Sequence, residues 1–559
     1  MSVSRNSAGA LILAAALLAG HSGAQDGGVF SRDPATAPLP PPDAGAQDPA
    51  PGGVEVRPLD ATDPSQTGTL SEADGGLGDA LWAGSDYATV AELMSELPVA
   101  TSSPAMNDLV RRLLLTGAKP DDAGGQGDTL FVIRTRKLDE AGLTSDLAGL
   151  LAAGGAKSGD PTARVDALLL EGQTAEACAV DLGDGGLMLQ LRALCQIADG
   201  DAPAAAMSAD LARVKGVDDP AFFALVAHLA DGAPLDGAAL KNLTPITYAL
   251  AEAAAAKLGP AALENADPGI VAALASDDAQ SAELRATAAE RAGQVGALPA
   301  GAVIDILRAL KTGKAESDAL AGAARLQKAI ATEGLEPRAQ AIVAALDQAA
   351  KRNLTTLYAQ LLARAAWEMP PSATLAPYAD AITRILLLSG RGDRIADWLN
   401  VAETLSARVR DELAVRLAIA APTRDRAVVA LSALVRLVQE SEHDEALSAR
   451  VLIYAGALDA LGYAIPSSAQ SLLQSSPLLA GSSAGQVETA DLAAAARDKR
   501  TGETLLRALI LLGRGGPAQA HPATVNDVVA ALATAGFQRE ASAVALEAAL
   551  ARATPGEGG

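Results

Sequence analysis

The sequence predicts an all-α protein, an α-solenoid in which pairs of antiparallel helices stack into a superhelix. Apolar residues recur with the 3.6-residue period of a helix, and Gly, Asp and Pro interrupt these runs at short intervals. The chain of 559 residues is also longer than a single core usually spans. Hydrophobic residues make up 49% of it but aromatic residues only 3%, so Ala, Leu and Val would supply many thin contacts between helices.

The segment 160–216 shows the repeating pattern most clearly. Val165 and Leu169 fall on one helical face before Gly172 interrupts the run. A second amphipathic run follows and ends at Gly200. Two helices and a turn therefore form one unit, and the chain has room for roughly two dozen such helices.

The N-terminus has the pattern of a secretory signal peptide over residues 1–24. Arg5 precedes an apolar and small-residue run from Ala8 to Ala19, and Ser22-Gly23-Ala24 supplies the small residues that a signal peptidase reads. We expect cleavage after Ala24. The run is too short to span a bilayer comfortably, so we expect a periplasmic or secreted protein with no integral membrane segment after cleavage.

Residues 25–76 are predicted to be a disordered linker. They are rich in Pro, Gly, Asp and Ala, and they carry nine acidic residues against Arg32 and Arg57. Repulsion between these charges would keep the tether extended. Ordered structure is expected to begin near Leu77.

The helical-repeat array is predicted over residues 77–466. Asp219-Pro220, Asp267-Pro268 and Glu336-Pro337 each place an acidic residue directly before a proline, an arrangement that favours a helix start. The β-branched residues of 129–138 are compatible with a strand. We interpret this segment as a helix, because its apolar residues also fit a helical period and lead into another helix-turn-helix unit.

The C-terminal part is predicted in three pieces. Residues 467–487 are Ser-rich and contain Pro477 and Gly481, which indicates a loop or hinge. Residues 488–552 are predicted to form C-terminal helical repeats, and residues 553–559 a disordered tail.

Two segments, 167–198 and 524–552, resemble the helix pairs of tetratricopeptide repeats (TPRs). Their small residues lie at the spacing at which two antiparallel helices close against each other. The Trp, Tyr and terminal Pro positions of that family are mostly absent, so we describe the pattern as TPR-like. As a whole, the chain also resembles the Ala-rich exported repeat proteins common in alphaproteobacteria, a resemblance that implies no particular function.

Cys178 and Cys195 form the candidate disulfide. An oxidising periplasm favours the bond, which on a chain-entropy estimate contributes about 3 kcal/mol. The predicted turn at residues 183–186 lies closer to Cys178 than to Cys195. The two Cα atoms can therefore approach only if the helices are offset or the first helix ends early. A redox-active pair is not favoured, because neither CxxC spacing nor a cationic helix start is present.

The sequence contains no recognisable catalytic, cofactor-binding or metal-binding motif. The four histidines are widely spaced along the chain and include no HExxH pattern: His21, His228, His443 and His521. Arg391-Gly392-Asp393 spells an adhesion tripeptide, but a turn between helices explains it better. We therefore predict no metal and no cofactor.

An enzyme remains as an alternative. Ala-rich superhelices form the non-catalytic body of soluble lytic transglycosylases, and Gln439-Glu440-Ser441 resembles the start of their catalytic motif, in which the Glu is the general acid. Such an acid needs an apolar cleft to stay protonated. Glu440 is instead followed by a run of further acidic residues, and the Gly-Leu-Met-Gln element of that family is missing. A surface patch at a helix end is the preferred interpretation.

The net charge of -23 disfavours nucleic acids and anionic membranes as partners, because both attract clustered Lys and Arg. Repeat arrays expose extended grooves, and no catalytic constellation competes with a binding role. We therefore predict a non-enzymatic scaffold or adaptor that binds protein partners in the bacterial envelope. A purely structural spacer is a further alternative. The sequence specifies neither the partner nor the oligomeric state.

Overall fold

The computed structural model describes residues 64–120, 127–155, 158–313, 317–401, 406–479 and 485–552. Over these ranges the chain is all-α and contains no β-strand, as the sequence predicts. The expected signal peptide (1–24), most of the expected linker (25–63) and the expected tail (553–559) lie outside the described residues.

The helices of the first half are mostly short and often begin at a capping residue or a proline. Asp219 caps one of them, since its carboxylate accepts a hydrogen bond from the backbone N–H of Phe222 at 3.0 Å. Their bounds are α1 (Tyr87–Glu96), α2 (Pro104–Leu115), α3 (Gly127–Glu140), α4 (Thr144–Gly154), α5 (Pro161–Leu170), α6 (Thr174–Ala177), α7 (Gly186–Ala198), α8 (Ala202–Val214), α9 (Pro220–Asp231), α10 (Pro245–Ala253), α11 (Pro268–Ser276), α12 (Ala282–Gln294) and α13 (Ala300–Ala309). The segment 129–138 is helical, within α3.

The helices of the second half follow the same pattern. Pro268 starts α11 as expected, whereas Glu336-Pro337 lies inside the first turn of a helix that begins one residue earlier. Their bounds are α14 (Asp318–Ala331), α15 (Leu335–Ala350), α16 (Thr355–Trp367), α17 (Ala379–Leu388), α18 (Ile395–Val401), α19 (Ala407–Ala420), α20 (Arg424–Glu440), α21 (Glu445–Ala460), α22 (Ser467–Ser475), α23 (Gln486–Arg497), α24 (Thr501–Leu512), α25 (Gly516–Gln519), α26 (Pro522–Thr534) and α27 (Gln538–Ala551).

Residues 64–76, which precede the expected start of ordered structure near Leu77, already pack against the helices. Arg134, which is fully buried on α3, donates hydrogen bonds from Nη1 to the carbonyl oxygens of Ser65 at 3.1 Å and Thr67 at 2.9 Å. The segment 64–76 was expected to be part of a linker because it is rich in Pro and Gly and its apolar residues show no helical period. Instead, hydrogen bonds from the side chain of Arg134, which is remote in sequence, hold this segment in place.

The expected loop or hinge at 467–487 also differs. Residues Ser467–Ser475 form α22, whose Ala469 is fully buried and which packs against α20 and α21. The serines of this segment predict a loop, but they lie on a short helix whose alanine anchors it. Moreover, α26 and α27 pack directly against α21, so the C-terminal helices continue the same packed body.

The two ends of the described chain contact each other. Helix α1 packs against α24, and α2 packs against α24 and α27. The backbone N–H of Gly502 donates a hydrogen bond to the carbonyl of Leu81 at 2.8 Å. In an open repeat array each unit contacts only its neighbours, so these contacts differ from the linear array that the sequence predicts.

These end contacts complete a closed series of helix contacts. It runs from α2 through α3, α5, α11, α12, α16, α17 and α27, and α27 packs back against α2. We call this series the closed circuit. Of the helices outside it, some pack in sequence-consecutive pairs, such as α7 with α8 and α14 with α15, whereas α21, α23 and α24 each pack against α26.

Candidate functional site: a central cavity

A cavity of about 920 Å³ is the strongest candidate site within the described residues. Its lining comes from α2, the start of α4, the end of α5, α11, the segment between α12 and α13, α16, and the residues that follow α17. Nearly all of these elements belong to the closed circuit or adjoin it, and we call this space the central cavity. Its volume lies within the range of ligand-binding sites.

Glycines bring two parts of the wall into contact. A Cβ atom on Gly142 would lie 2.6 Å from the backbone nitrogen of Gly269, so only glycine lets the α3–α4 turn approach α11 this closely. Gly142 also has a φ of +70°, which L-residues with side chains rarely adopt. Gly296 has a φ of +79°, and a Cβ there would lie 2.6 Å from Nδ2 of Asn107 on α2. Small residues thus determine the width of the cavity.

One ion pair joins two walls of the cavity. Arg111 on α2 donates from Nε to Oδ2 of Asp146 on α4 at 2.6 Å, and from Nη2 to Oδ1 at 2.7 Å. This bidentate geometry orients both side chains. Because Arg111 remains 42% exposed, the pair contributes more to the orientation of α2 and α4 than to stability.

The lining also contains polar groups that are free to bind a ligand. In the described part of the chain, the side chains of Thr144, Ser145 and Gln360 make no hydrogen bond to protein groups. The first turn of α4 has no side-chain cap either, because Leu143 precedes it. Hydrogen-bond donors and acceptors are therefore available beside the apolar alanines of the wall.

Charged residues line opposite elements of the cavity. Asp108 on α2 and the exposed Glu171 at the end of α5 are acidic. Arg391, which follows α17, is basic, and its guanidinium carbon lies 5.4 Å from the ring centroid of Trp367. The sequence places Arg391 in a turn; it does lie directly after a helix, but its position at the cavity could be recognised only from the tertiary structure.

Three carboxyl groups interact electrostatically beside the cavity lining: Asp139 on α3, Asp166 on α5 and Asp267 directly before α11. Burial, together with the negative charges of Asp166 and Asp267, raises the pKa of Asp139 on α3 to about 8. Burial and the charge of Asp267 also raise the pKa of Asp166 on α5, to about 7. The pair therefore favours a protonated state near neutral pH.

The predicted cysteine pair lies outside the cavity lining. Cys178 and Cys195 lie at disulfide distance, with their Cα atoms 5.8 Å apart. Helix α6 is a single turn that ends at Ala177, so the first helix of this unit ends early. This satisfies one of the two geometric conditions that the sequence spacing imposes.

The other residues considered in the sequence lie apart from the cavity. Glu440 is the exposed last residue of α20. His228 bonds through Nδ1 to the carbonyl of Ala233 at 2.7 Å, His521 caps α26, and His443 lies in the turn before α21, while His21 lies outside the described residues. Across the described ranges, no three His, Cys, Asp or Glu residues form a group that could hold a metal ion. Nor does any helix there have the length and apolar character needed to cross a membrane.

Comparison of the chain with protein-family models, curated proteins and solved structures finds no match. The resemblances to TPRs and to exported alphaproteobacterial repeat proteins therefore rest on residue patterns alone.

Proposed function

We propose that the protein is an exported, non-enzymatic scaffold or adaptor that binds a polypeptide segment of a partner protein in the central cavity. The observation that carries this proposal is the lining itself, in which seven separate parts of the chain combine small apolar residues with free polar groups. Ligand sites are typically concave and mostly apolar, with a few polar groups that orient the ligand.

The free groups suit a polypeptide. An extended segment presents alternating backbone N–H and C=O groups, and each needs a partner when it leaves water. The amide of Gln360 can both donate and accept hydrogen bonds, as can the hydroxyls of Thr144 and Ser145. A ligand without such groups would leave these side chains unpaired.

The acidic side chains in the cavity lining favour a bound segment that carries a basic residue. Asp108 and Glu171 line the cavity, and Glu171 makes no ion pair within the described residues. The chain as a whole carries a net charge of -23, which would accelerate the approach of a basic partner. Arg391 provides a separate point of contact for an acidic group on the same segment.

Two finer features belong to the same proposal. The consecutive packing of α7 with α8, α11 with α12, and α19 with α20 supports a TPR-like repeat architecture of antiparallel helix pairs. The signal-peptide pattern and the cysteine pair at disulfide distance support a periplasmic or secreted location.

A cross-linking experiment tests the proposal. A photoreactive amino acid is placed at Gln360 in the cavity and, as the matched control, at the exposed Ala493 on α23. We expect the Gln360 position to capture one defined polypeptide in the intact envelope and the Ala493 position not to capture it.

The captured segment is then synthesised and titrated against the purified protein. We expect Ala273→Trp, which fills the cavity, to weaken binding at least about tenfold, while Ala493→Trp leaves binding unchanged. Equal capture from both positions, or binding that is insensitive to Ala273→Trp in a folded variant, would refute the proposal.

A further inference from the structure

One face of helix α2 lines the central cavity, and its other face is buried in the core. Pro104, Asn107, Asp108 and Arg111 follow the spacing of one helical face and line the central cavity. Met106, Leu109, Val110, Leu113 and Leu114 are at most 2% exposed. Any shift of α2 against the core would therefore move one wall of the cavity.

The N-terminus of α2 is held by a residue from the other end of the chain. The backbone N–H of Ala105 donates to Oε1 of Glu547 on α27 at 2.9 Å. The hydroxyl of Ser103 donates to Oε2 of the same carboxylate, while its oxygen accepts the backbone N–H of Met106 at 3.2 Å. Two of the N–H groups that a helix leaves unpaired at its start are thereby satisfied.

A second polar contact sets the register of the two helices. Arg112 donates from Nη1 to Oε1 of Glu540 at 2.6 Å. Ala105 and Arg112 are separated by the same number of residues as Glu540 and Glu547, in the opposite order. Helices α2 and α27 therefore lie antiparallel over about two turns, joined at both ends of that stretch.

Glu547 is an unusual residue for this position. It is buried, and no cation pairs with it among the described residues. Burial raises its pKa to about 7. A buried carboxylate needs hydrogen-bond donors, and here the donors are Ser103 and Ala105. A movement of the start of α2 would leave this carboxylate unpaired, so the contact restrains α2 more strongly than an apolar contact would.

We propose that Glu547 is a positioning residue for the central cavity, which holds α2 in place through the cap at Ser103 and Ala105 and so controls access to the cavity. This inference rests on the proposed function only in treating the cavity as the site. Loss of the cap frees the start of α2, and the contact between Asn107 and Gly296 across the cavity loosens.

The test measures access to the cavity without any partner. Ala273→Cys introduces a thiol in the lining, and its rate of modification by a bulky maleimide is measured in full-length protein without reductant. We expect Glu547→Ala to accelerate modification about fivefold or more, because local opening exposes the site. Glu547→Gln should stay within about twofold of the parent, because its amide still accepts from Ala105 and can donate to Ser103.

Two controls separate positioning from general loss of stability. Leu346→Ala on α15 removes a buried side chain that does not line the cavity, and it should leave the modification rate unchanged. A thiol at the exposed Ala493 should react equally in every variant. Should Glu547→Ala not fold, Glu540→Ala removes the acceptor of the second contact, the hydrogen bond from Arg112, and is expected to accelerate modification in the same direction.

A parent-like rate in folded Glu547→Ala, or an equal acceleration by Leu346→Ala, would overturn the inference. The modification rate is measured without a partner, so it does not depend on whether a polypeptide binds. Likewise, polypeptide binding can be observed whether or not Glu547 controls access, and the two proposals can therefore fail separately.

Discussion

Glu412 on α19 and Arg450 on α21 form a buried ion pair, with Oε1 3.1 Å from Nη2, between residues that are 5% and 1% exposed. The other carboxylate oxygen pairs with Arg416, which is also buried, and accepts a hydrogen bond from the hydroxyl of Tyr454 at 3.0 Å. Burial by itself would raise the pKa of Glu412, but Arg416 and Arg450 outweigh it and lower that pKa. Glu412 thus pairs with two buried guanidinium groups, and Asp380 also pairs with Arg416, at 3.1 Å.

We predict that Glu412→Gln destabilises the protein by about 3 kcal/mol, because it removes the charge that Arg416 and Arg450 share and leaves Arg416 with Asp380 alone as its acidic partner among the described residues. Urea unfolding followed by circular dichroism measures the loss. Glu264→Gln, an exposed change without an ion pair among the described residues, is the matched control and should fall within about 0.5 kcal/mol of the parent. Equal stability of the two variants would contradict the prediction.

We predict that Asp139 and Asp166 make the free energy of unfolding decline as the pH rises. Both pKa values are raised in the folded state above the value near 4 of the unfolded chain. Their contribution is therefore fully present below about pH 4 and is lost as the pH rises towards 8, at up to about 1.4 kcal/mol per pH unit for each group.

Asp139→Asn tests this pH dependence. It removes one of the two charges, so the free energy of unfolding should vary less between pH 5 and 8 than in the parent. Asp184→Asn, at an exposed aspartate outside this cluster, should leave the pH dependence unchanged. An undiminished slope in Asp139→Asn would contradict the raised pKa of Asp139 in the folded protein.

Gly142 and Gly172 form a matched pair for testing the cavity wall. Their φ values are +70° and +74°, but only Gly142 approaches another backbone, since a Cβ on Gly172 would meet open space. Gly172→Ala should cost about 1 kcal/mol from backbone strain alone. We predict that Gly142→Ala costs at least about 1 kcal/mol more, measured by urea unfolding, because the methyl group clashes with α11. Equal losses would show that the approach of Gly142 to Gly269 is not tight.

The cysteine pair is predicted to form a disulfide in an oxidising compartment, such as the envelope location that we propose. Alkylation of protein purified from the envelope without reductant should modify neither Cys178 nor Cys195, and reduction should lower stability by about 3 kcal/mol. Cys195→Ala should have a similar effect. Free thiols in the unreduced protein would contradict the prediction.

Local structure was predictable wherever the cause is local. The helix over 129–138 follows from its apolar period, and the starts at Pro220 and Pro268 follow from a proline placed at the first helical position. The segments 64–76 and 467–475 were not predictable. Their conformations depend on Arg134 and on α20 and α21, which are remote in sequence.

The candidate site was not predictable from the sequence for the same reason. Arg111 and Asp146, or Asn107 and Gly296, have no pattern that links them before the chain folds. Even the spacing of Glu540 and Glu547 gives no sign that their partners lie on α2. Motif searches directed attention to Cys178, Cys195 and Glu440, none of which lines the cavity, and to the tripeptide that begins at Arg391, which does line it but was interpreted only as a turn.

The sequence by itself determined that this chain is helical, where some of its helices begin, such as those at Pro220 and Pro268, and how far apart its cysteines lie along the chain. Hydrophobic periodicity and capping act over a few residues, and these properties follow from them. Only the tertiary structure decided that α2 packs against α27 and that a cavity lies within the closed circuit. Small differences in packing angle accumulate over many helices, so contact between the two ends depends on the whole array rather than on any one segment.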